Sequence, residues 1–280
     1  MAEAKVDQNV VYGTYSGLAL LMDVHFPDQP NGYGIIHVSG SAWTKPLAYS
    51  GVLLTKQPHV AAEAGPLIEA GYTVFTVTHR ATPRFQYPAP IEDVQRAARF
   101  IRYHAADYGI DPDRIGAMGG SSGGHLVSLL GVLDGLGDPH DPDPVNRVSS
   151  KVQAVVGRAV PADLAKIATM SARPAVALLI GASISARNPG IEEMRLYQNA
   201  SPITYVSSDD PSFLFIHGDA DKTIPYSQAG LFAAKLKEVG VEANVLTVPG
   251  GDHGFDFPGA TAMPDWQGAM IDWFDEHLKR

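Results

Sequence analysis

The chain has 280 residues, 45% of them hydrophobic and 18% charged, a globular composition long enough to bury a full central sheet in one unit. Its formal net charge of -9 argues against nucleic acid and anionic membrane surfaces as partners. With no cysteines, disulfides, thiol catalysis and cysteine-ligated metals are excluded. The opening residues Met1 to Asp7 carry no apolar leader core and no apolar run reaches about 18 residues, so a soluble chain without membrane insertion is expected. Its compartment is left open between cytoplasm and secretion after loss of a leader.

Val10 to Tyr12 and Leu18 to Phe26, separated by Gly13 to Gly17, read as an opening hairpin that ends at Pro27. The apolar strand Tyr33 to Val38 runs into Ser39-Gly40-Ser41-Ala42-Trp43, and a loop leads on to a helix from about Val60 to Ala70, stopped by Gly71. Tyr72 to Thr78 has the β-branched and aromatic content of a buried strand, and Ile91 to Tyr108 reads as one helix with Val94, Ala97, Ala98 and Ile101 on its apolar face.

Next comes Ile115 to Leu126, where a short apolar run meets glycines around a serine and then turns helical. Gly119-Gly120-Ser121-Ser122-Gly123 matches G-x-S-x-G, the sharp strand-to-helix turn that lifts a serine above a strand end. Small residues are required two before and two after the serine, because strand and helix backbones approach too closely there for a Cβ. Beyond it, the acidic and proline-rich stretch Asp138 to Pro144 is read as turn chemistry on a solvated loop rather than as a metal site.

Val152 to Val156 is the next strand. The segment 164–205 then breaks the strand-helix alternation, with helical stretches Ala175 to Ile180 and Ile191 to Gln198 between Pro174, Pro189 and Pro202; it reads as a small cap inserted in a single domain spanning 1–280. Ser212 to His217 resumes the sheet, Tyr226 to Val239 is an amphipathic helix, Val245 to Val248 is the last strand, and Met263 to Leu278 is the final helix. Alternating strands and helices predict an α/β fold, a mostly parallel eight-stranded sheet covered on both faces.

A serine hydroxyl needs a base within hydrogen-bond reach and a third group to fix that base. His253, in a glycine-rich loop directly after the last strand, has the right setting. His37, His79 and His217 also lie near strand ends and read as structural histidines; His277 and His140 are set aside. For the acid, Asp219 and Asp221 follow the penultimate strand. Asp163 is a third candidate, with a helix N-cap as its plain reading. The order Ser121, Asp221, His253 is the one expected of a hydrolase built on this turn. Oxyanion donors are expected from the amide of Ser122 and from Ser39 and Gly40 in the loop after Val38.

Together these motifs resemble the α/β-hydrolase esterase and lipase superfamily, within it the small bacterial esterases related to hormone-sensitive lipase and to acetyl- and feruloyl-esterase-like enzymes. Residues 119–126 resemble that group's elbow, His217-Gly218 with Asp221 and Ile224-Pro225 its acid loop, and His253-Gly254-Phe255 its histidine loop. The resemblance is what prefers Asp221 to Asp219. It implies the α/β-hydrolase fold, a serine carboxylester hydrolase without cofactor or metal, and a small-molecule ester as partner, with homo-oligomerisation left open. The small cap suggests short acyl chains or small aromatic or sugar-linked esters. A prolyl-oligopeptidase-like peptidase and a non-catalytic binding protein on the same fold are the alternatives.

One departure stands out. That group usually carries His-Gly-Gly-Gly before the tryptophan of the oxyanion loop, whereas here Val38 and Ser39 replace glycines, so the loop must avoid positive φ at these positions or bear strain. The Ser39 hydroxyl reads equally as an added donor or a turn cap. Trp43 reads equally as a pocket wall or a core aromatic.

Overall fold

The structure, a computed structural model, describes residues 5–45, 47, 48, 51–170, 174–183 and 190–279. Pro189, read above as one of the chain's breaks, and Met1 to Ala4 lie outside them.

Eight strands form one sheet. β1 (Val6–Tyr15) and β2 (Leu18–His25) make the opening hairpin, whose tip, Ser16-Gly17, has positive φ at both residues, as a tight right-twisting hairpin turn requires. Then follow β3 (Gly34–Val38), β4 (Thr73–Val77), β5 (Ile115–Gly120), β6 (Ala154–Arg158), β7 (Ser212–Gly218) and β8 (Ala243–Val248). The order across the sheet is β1-β2-β4-β3-β5-β6-β7-β8, antiparallel at β1-β2 and β2-β4 and parallel from β4 onward.

Strands β3 to β6 are buried at every residue, which is why each reads as a continuous apolar run. The period-2 alternation sorts their side chains onto two faces. Ile36, Phe75, Ala117, Val155 and Phe215 pack on one face with α2 (Ala89–Tyr103), α4 (Ser122–Val132) and α8 (Ser227–Glu238). Ile35, Val74, Met118, Val156 and Leu214 pack on the other with α1 (His59–Glu69) and α9 (Trp266–Leu278).

Two helix boundaries differ from the sequence reading, each for a local reason. The helix expected over Ile91 to Tyr108 breaks at His104, where φ -99° and ψ 16° leave the helical region, and resumes as the single turn α3 (Ala105–Tyr108), closed by left-handed Gly109. The last helix starts at Trp266 rather than Met263, because the Asp265 carboxylate caps it, accepting from the Gly268 N–H at 2.8 Å.

Between β6 and β7 the chain leaves the sheet at the same edge as the turn after β5 and forms α5 (Leu164–Met170), α6 (Pro174–Ile180) and α7 (Ile191–Asn199). Val176, Leu179 and Tyr197 anchor these helices in the main core. Tyr87 ties them down further, its N–H donating to Leu179 O at 2.8 Å and its hydroxyl to Asn199 O at 2.7 Å. No helix among the described residues is long and apolar enough to cross a membrane.

Candidate active site

Ser121 sits between β5 and α4 with φ 54° and ψ -121°, a strained conformation for a residue with a Cβ. The surrounding backbone holds it there: the Ser121 N–H donates to Arg158 O at 2.7 Å, and Ser121 O accepts from His125 N–H at 3.0 Å. A Cβ on Gly119 would stand 2.6 Å from the backbone C and O of Gly123, so the two small residues are demanded by strand meeting helix.

The chain brings Ser121, His253 and Asp221 into one hydrogen-bonded line. His253 Nε2 lies 3.1 Å from Ser121 Oγ, and His253 Nδ1 lies 2.8 Å from Asp221 Oδ2. Because a carboxylate only accepts, Nδ1 carries the proton, which leaves the Nε2 lone pair facing the serine hydroxyl. The Asp221 side chain is 1% exposed. Burial would raise its pKa, but hydrogen bonds from His217 and His253 and backbone bonds from its own turn hold the carboxyl far below the usual range. The backbone donors are Thr223 and Ile224, at 2.7 and 2.8 Å from Oδ1. The second histidine, His217, points its Nε2 at both Ile224 O (3.1 Å) and Asp221 Oδ2 (3.2 Å), so it supports the acid from behind.

The other acid candidates are occupied elsewhere. Asp219 Oδ1 accepts from Gly250 N–H at 2.6 Å and so pins the start of the His253 loop. Asp163 caps α5 through Lys166 N–H at 2.9 Å. Among the remaining histidines, His277 bonds Trp273 O and Glu242, and His79 bonds Arg80 O. In the acidic loop the carboxylates of Asp138 and Asp141 accept from the N–H groups of His140 and Asp143, two residues on, and Asp143 pairs with Arg96.

The loop after β3 faces the serine. A Cβ on Gly40 would lie 2.7 Å from Gly120 O and 3.2 Å from the Ser121 Cβ, so only glycine allows this approach. The Ser41 N–H donates to Ser122 Oγ at 2.8 Å, fastening the loop to the first turn of α4. Among the described residues the N–H groups of Gly40 and Ser122 have no protein acceptor, and that of Ser122 opens a helix. The Ser39 hydroxyl, buried at 2%, donates to Leu54 O at 2.8 Å and is therefore a turn tether, not a donor into the site.

Val38 and Ser39 avoid positive φ. The left-handed conformations fall instead on Ala42 (φ 53°) and Trp43 (φ 56°). Trp43 is core rather than pocket wall: it is 3% exposed, and its Nε1–H donates to His125 Nδ1 at 3.1 Å. His125 in turn donates from Nε2 to Ala200 O at 2.7 Å, linking the loop after β3, α4 and the segment after α7.

Sequence reasoning did not find the charged cluster beneath the elbow. Glu63 on α1 bonds Arg158 through Oε1, at 2.9 Å from Nε and 2.8 Å from Nη2, and accepts from His37 Nε2 through Oε2 at 2.8 Å. Arg158 Nη1 also donates to Gly254 O at 2.9 Å, one residue after His253. Burial opposes the Glu63 charge, yet Arg158 and His37 outweigh it and hold its pKa at about 2. The available signal was a basic residue ending the apolar strand Ala154-Val155-Val156-Gly157-Arg158, which must find a partner when buried.

Such an arrangement can deprotonate a serine as it attacks a carbonyl and hold the resulting oxyanion between two amides. The BD-FAE family profile matches residues 22–236. The chain is 32% identical over 225 residues to Esterase LipQ of Mycobacterium tuberculosis, covering 79% of this chain and 50% of that protein. This chain thus spans half the length of that curated relative. Among solved structures, a truncated carbohydrate esterase from gut microbiota superposes with a TM-score of 0.81 at 31% identity, over 99% of this chain and 97% of the other. An acetyl ester-xyloside bifunctional hydrolase from Caldicellulosiruptor lactoaceticus gives 0.79 at 25% identity, over 99% and 98%.

Proposed function

The chain belongs to the BD-FAE family, an α/β-hydrolase-fold family, and from that premise we propose that it is a serine carboxylester hydrolase in which Ser121, His253 and Asp221 form the catalytic triad. The observation that carries the reading is the continuous hydrogen-bonded line from Ser121 Oγ through His253 to Asp221.

In this reading Ser121 Oγ attacks the ester carbonyl as its proton passes to His253 Nε2. Asp221 stabilises the imidazolium through Nδ1, and the Gly40 and Ser122 amides receive the oxyanion. Collapse breaks the bond to the alcohol, which leaves with the proton from His253. Water then repeats the sequence on the acyl-enzyme and returns Ser121 to its starting state. None of these steps calls on a bound group. Helices α5 to α7 with the turn that follows act as a small cap over a single domain. Short acyl chains and small aromatic or sugar-linked alcohols suit that cap, and the carbohydrate esterase and acetyl ester-xyloside hydrolase among the structural neighbours support the sugar-linked case. Ser121→Ala is expected to abolish hydrolysis of p-nitrophenyl acetate and labelling by an organophosphonate at the Ser121 peptide. Substantial turnover by that variant would overturn the assignment.

A further inference from the structure

A cavity of about 670 Å³ opens beside the oxyanion loop, a size that accepts a small organic ligand. Its walls are the hairpin residues Leu18 and Leu20, the segment after β4 and, across from them, the continuation of the oxyanion loop from Lys45. Phe85 and the leucines make it partly apolar. Two cations line it, Lys45 and Arg84, and among the described residues neither side chain has an ion pair or hydrogen bond within the protein. Arg80 also lines it, but its charge is offset by Asp93 and Glu92.

Among the described residues no acidic group lines the cavity. The chain has 30 acidic residues, yet none occurs between Asp28 and Glu63, the segment that carries the oxyanion loop, nor between Glu69 and Glu92, the segment that carries β4 and its following loop. An acidic protein thus presents a positive recess at one place on its sheet edge. On the floor, His79 donates Nδ1–H to Arg80 O, and burial holds its pKa at about 4, so at neutral pH it is uncharged and its unpartnered Nε2 adds no charge.

The recess lies within reach of Ser121. β4 is separated from β5 only by β3, about 10 Å at ordinary strand spacing. The loop also connects the two places directly: Ser41 is bonded to Ser122 of the elbow, and four residues later Lys45 N–H donates to Thr82 O at 3.1 Å. Four residues span at most about 14 Å.

We propose that this recess is a substrate subsite for a carboxylate, so that the enzyme prefers esters carrying an anionic group some 10 Å from the reacting carbonyl. The inference rests on the esterase reading for its consequence in turnover. Two sources share the chemistry: an acidic alcohol, such as an aromatic acid or uronic sugar bearing the ester, and a dicarboxylic acyl group esterified at one end.

The experiment compares the acetate of 4′-hydroxybiphenyl-4-carboxylate with that of its carboxamide, and the p-nitrophenyl half-ester of a long dicarboxylic acid with p-nitrophenyl hexanoate. In at least one pair kcat/KM is expected to favour the anion by about 3- to 10-fold at low salt. The ratio should shrink as salt rises to about 1 M, fall to near one in Lys45→Gln/Arg84→Gln, and drop below one in Arg84→Glu. Whichever pair responds identifies the source. In parallel, 4′-hydroxybiphenyl-4-carboxylate and its carboxamide are titrated onto Ser121→Ala, with and without the double substitution. This reads the recess even where neither ester is turned over, so loss of the esterase reading and loss of the subsite are separable. No anion preference in either pair with equal affinity of the two titrants, or a preference unaffected by the double substitution, overturns the proposal.

Discussion

Replacing Glu63 by Gln removes the negative charge from a cluster in which nothing reaches solvent: the side chains of Glu63 and His37 are 0% exposed and that of Arg158 is 4%. The carboxyl is held at about 2 against an ordinary 4.5. At about 1.4 kcal/mol per pH unit, this is roughly 3 kcal/mol of preference for the ionised form. The folded-state pKa is depressed, so this stability is present above about 4.5 and is lost as pH falls toward about 2. Glu63→Gln at neutral pH leaves the Arg158 guanidinium buried without a counter-charge, a loss of about 3–5 kcal/mol. For a chain of this size, that lowers Tm by roughly 6–15 °C. The double variant Glu63→Leu/Arg158→Met removes both charges and should recover most of the loss. It should not recover activity, because Arg158 also holds Gly254 O beside His253; kcat on p-nitrophenyl acetate should remain about 10- to 100-fold down. Denaturant unfolding and kcat for Glu63→Leu, Arg158→Met and the double complete the cycle. A Glu63→Gln variant within about 1 kcal/mol of the parent, or additive single losses in the double, would refute the reasoning.

Acid should destabilise the fold through two further groups. Burial holds His79 and His125 at about 4 against a backbone hydrogen bond that raises each. Both are therefore neutral in the folded state, and their stabilisation is present above about 6.5 and is lost as pH falls toward about 4. Each contributes about 1.4 kcal/mol per pH unit across that window. Guanidinium unfolding free energies that stay flat between about pH 8 and pH 5 would contradict this. Asp221→Asn should lower kcat by about four decades, since the amide cannot hold the His253 tautomer; Asp219→Asn, whose carboxylate accepts from the Gly250 N–H rather than from His253, should cost about one decade or less. Equal losses would remove the distinction drawn from their contacts. Ala42→Gly relieves a left-handed alanine and should raise stability by about 0.5–1 kcal/mol in the same unfolding assay, a loss counting against strain at that position.

The elements legible in the sequence are those whose energetics are local. β3, β4 and β5 are buried on both faces, so their apolar runs mark them directly, and the close packing of Gly119 against Gly123 is written into the spacing of the glycines. That Ser121, His253 and Asp221 meet at one edge was readable for a related reason. Each stands in a loop at a strand end, and a parallel sheet gathers such loops at one edge whatever their separation in the chain. The oxyanion loop was read less well, because backbone strain depends on how the loop is tied at both ends. Ser39 bonds Leu54 and Ser41 bonds Ser122, and in the loop so tied Val38 and Ser39 avoid positive φ while Ala42 and Trp43 adopt it.

The layer that positions the reactive groups was the least legible, and it is the layer made of long-range pairs. His37 and His217 both read as structural histidines, but the sequence could not say that one meets Glu63 and the other Asp221. Nothing in the sequence around Glu63 singles it out, because its partner Arg158 lies 95 positions away. A buried charge in an apolar strand does imply a partner, so Arg158 announces that a pair exists while leaving its identity to the fold. The partner also reaches both sides of the site: the guanidinium that neutralises Glu63 holds Gly254 in the His253 loop, while the Arg158 carbonyl holds the Ser121 amide. One residue at the end of β6 thus joins the two halves of the hydrogen-bonded line. Its side chain and its main chain serve different halves, so variants at Glu63 and Arg158 test the His253 side while leaving the Ser121 N–H with its acceptor.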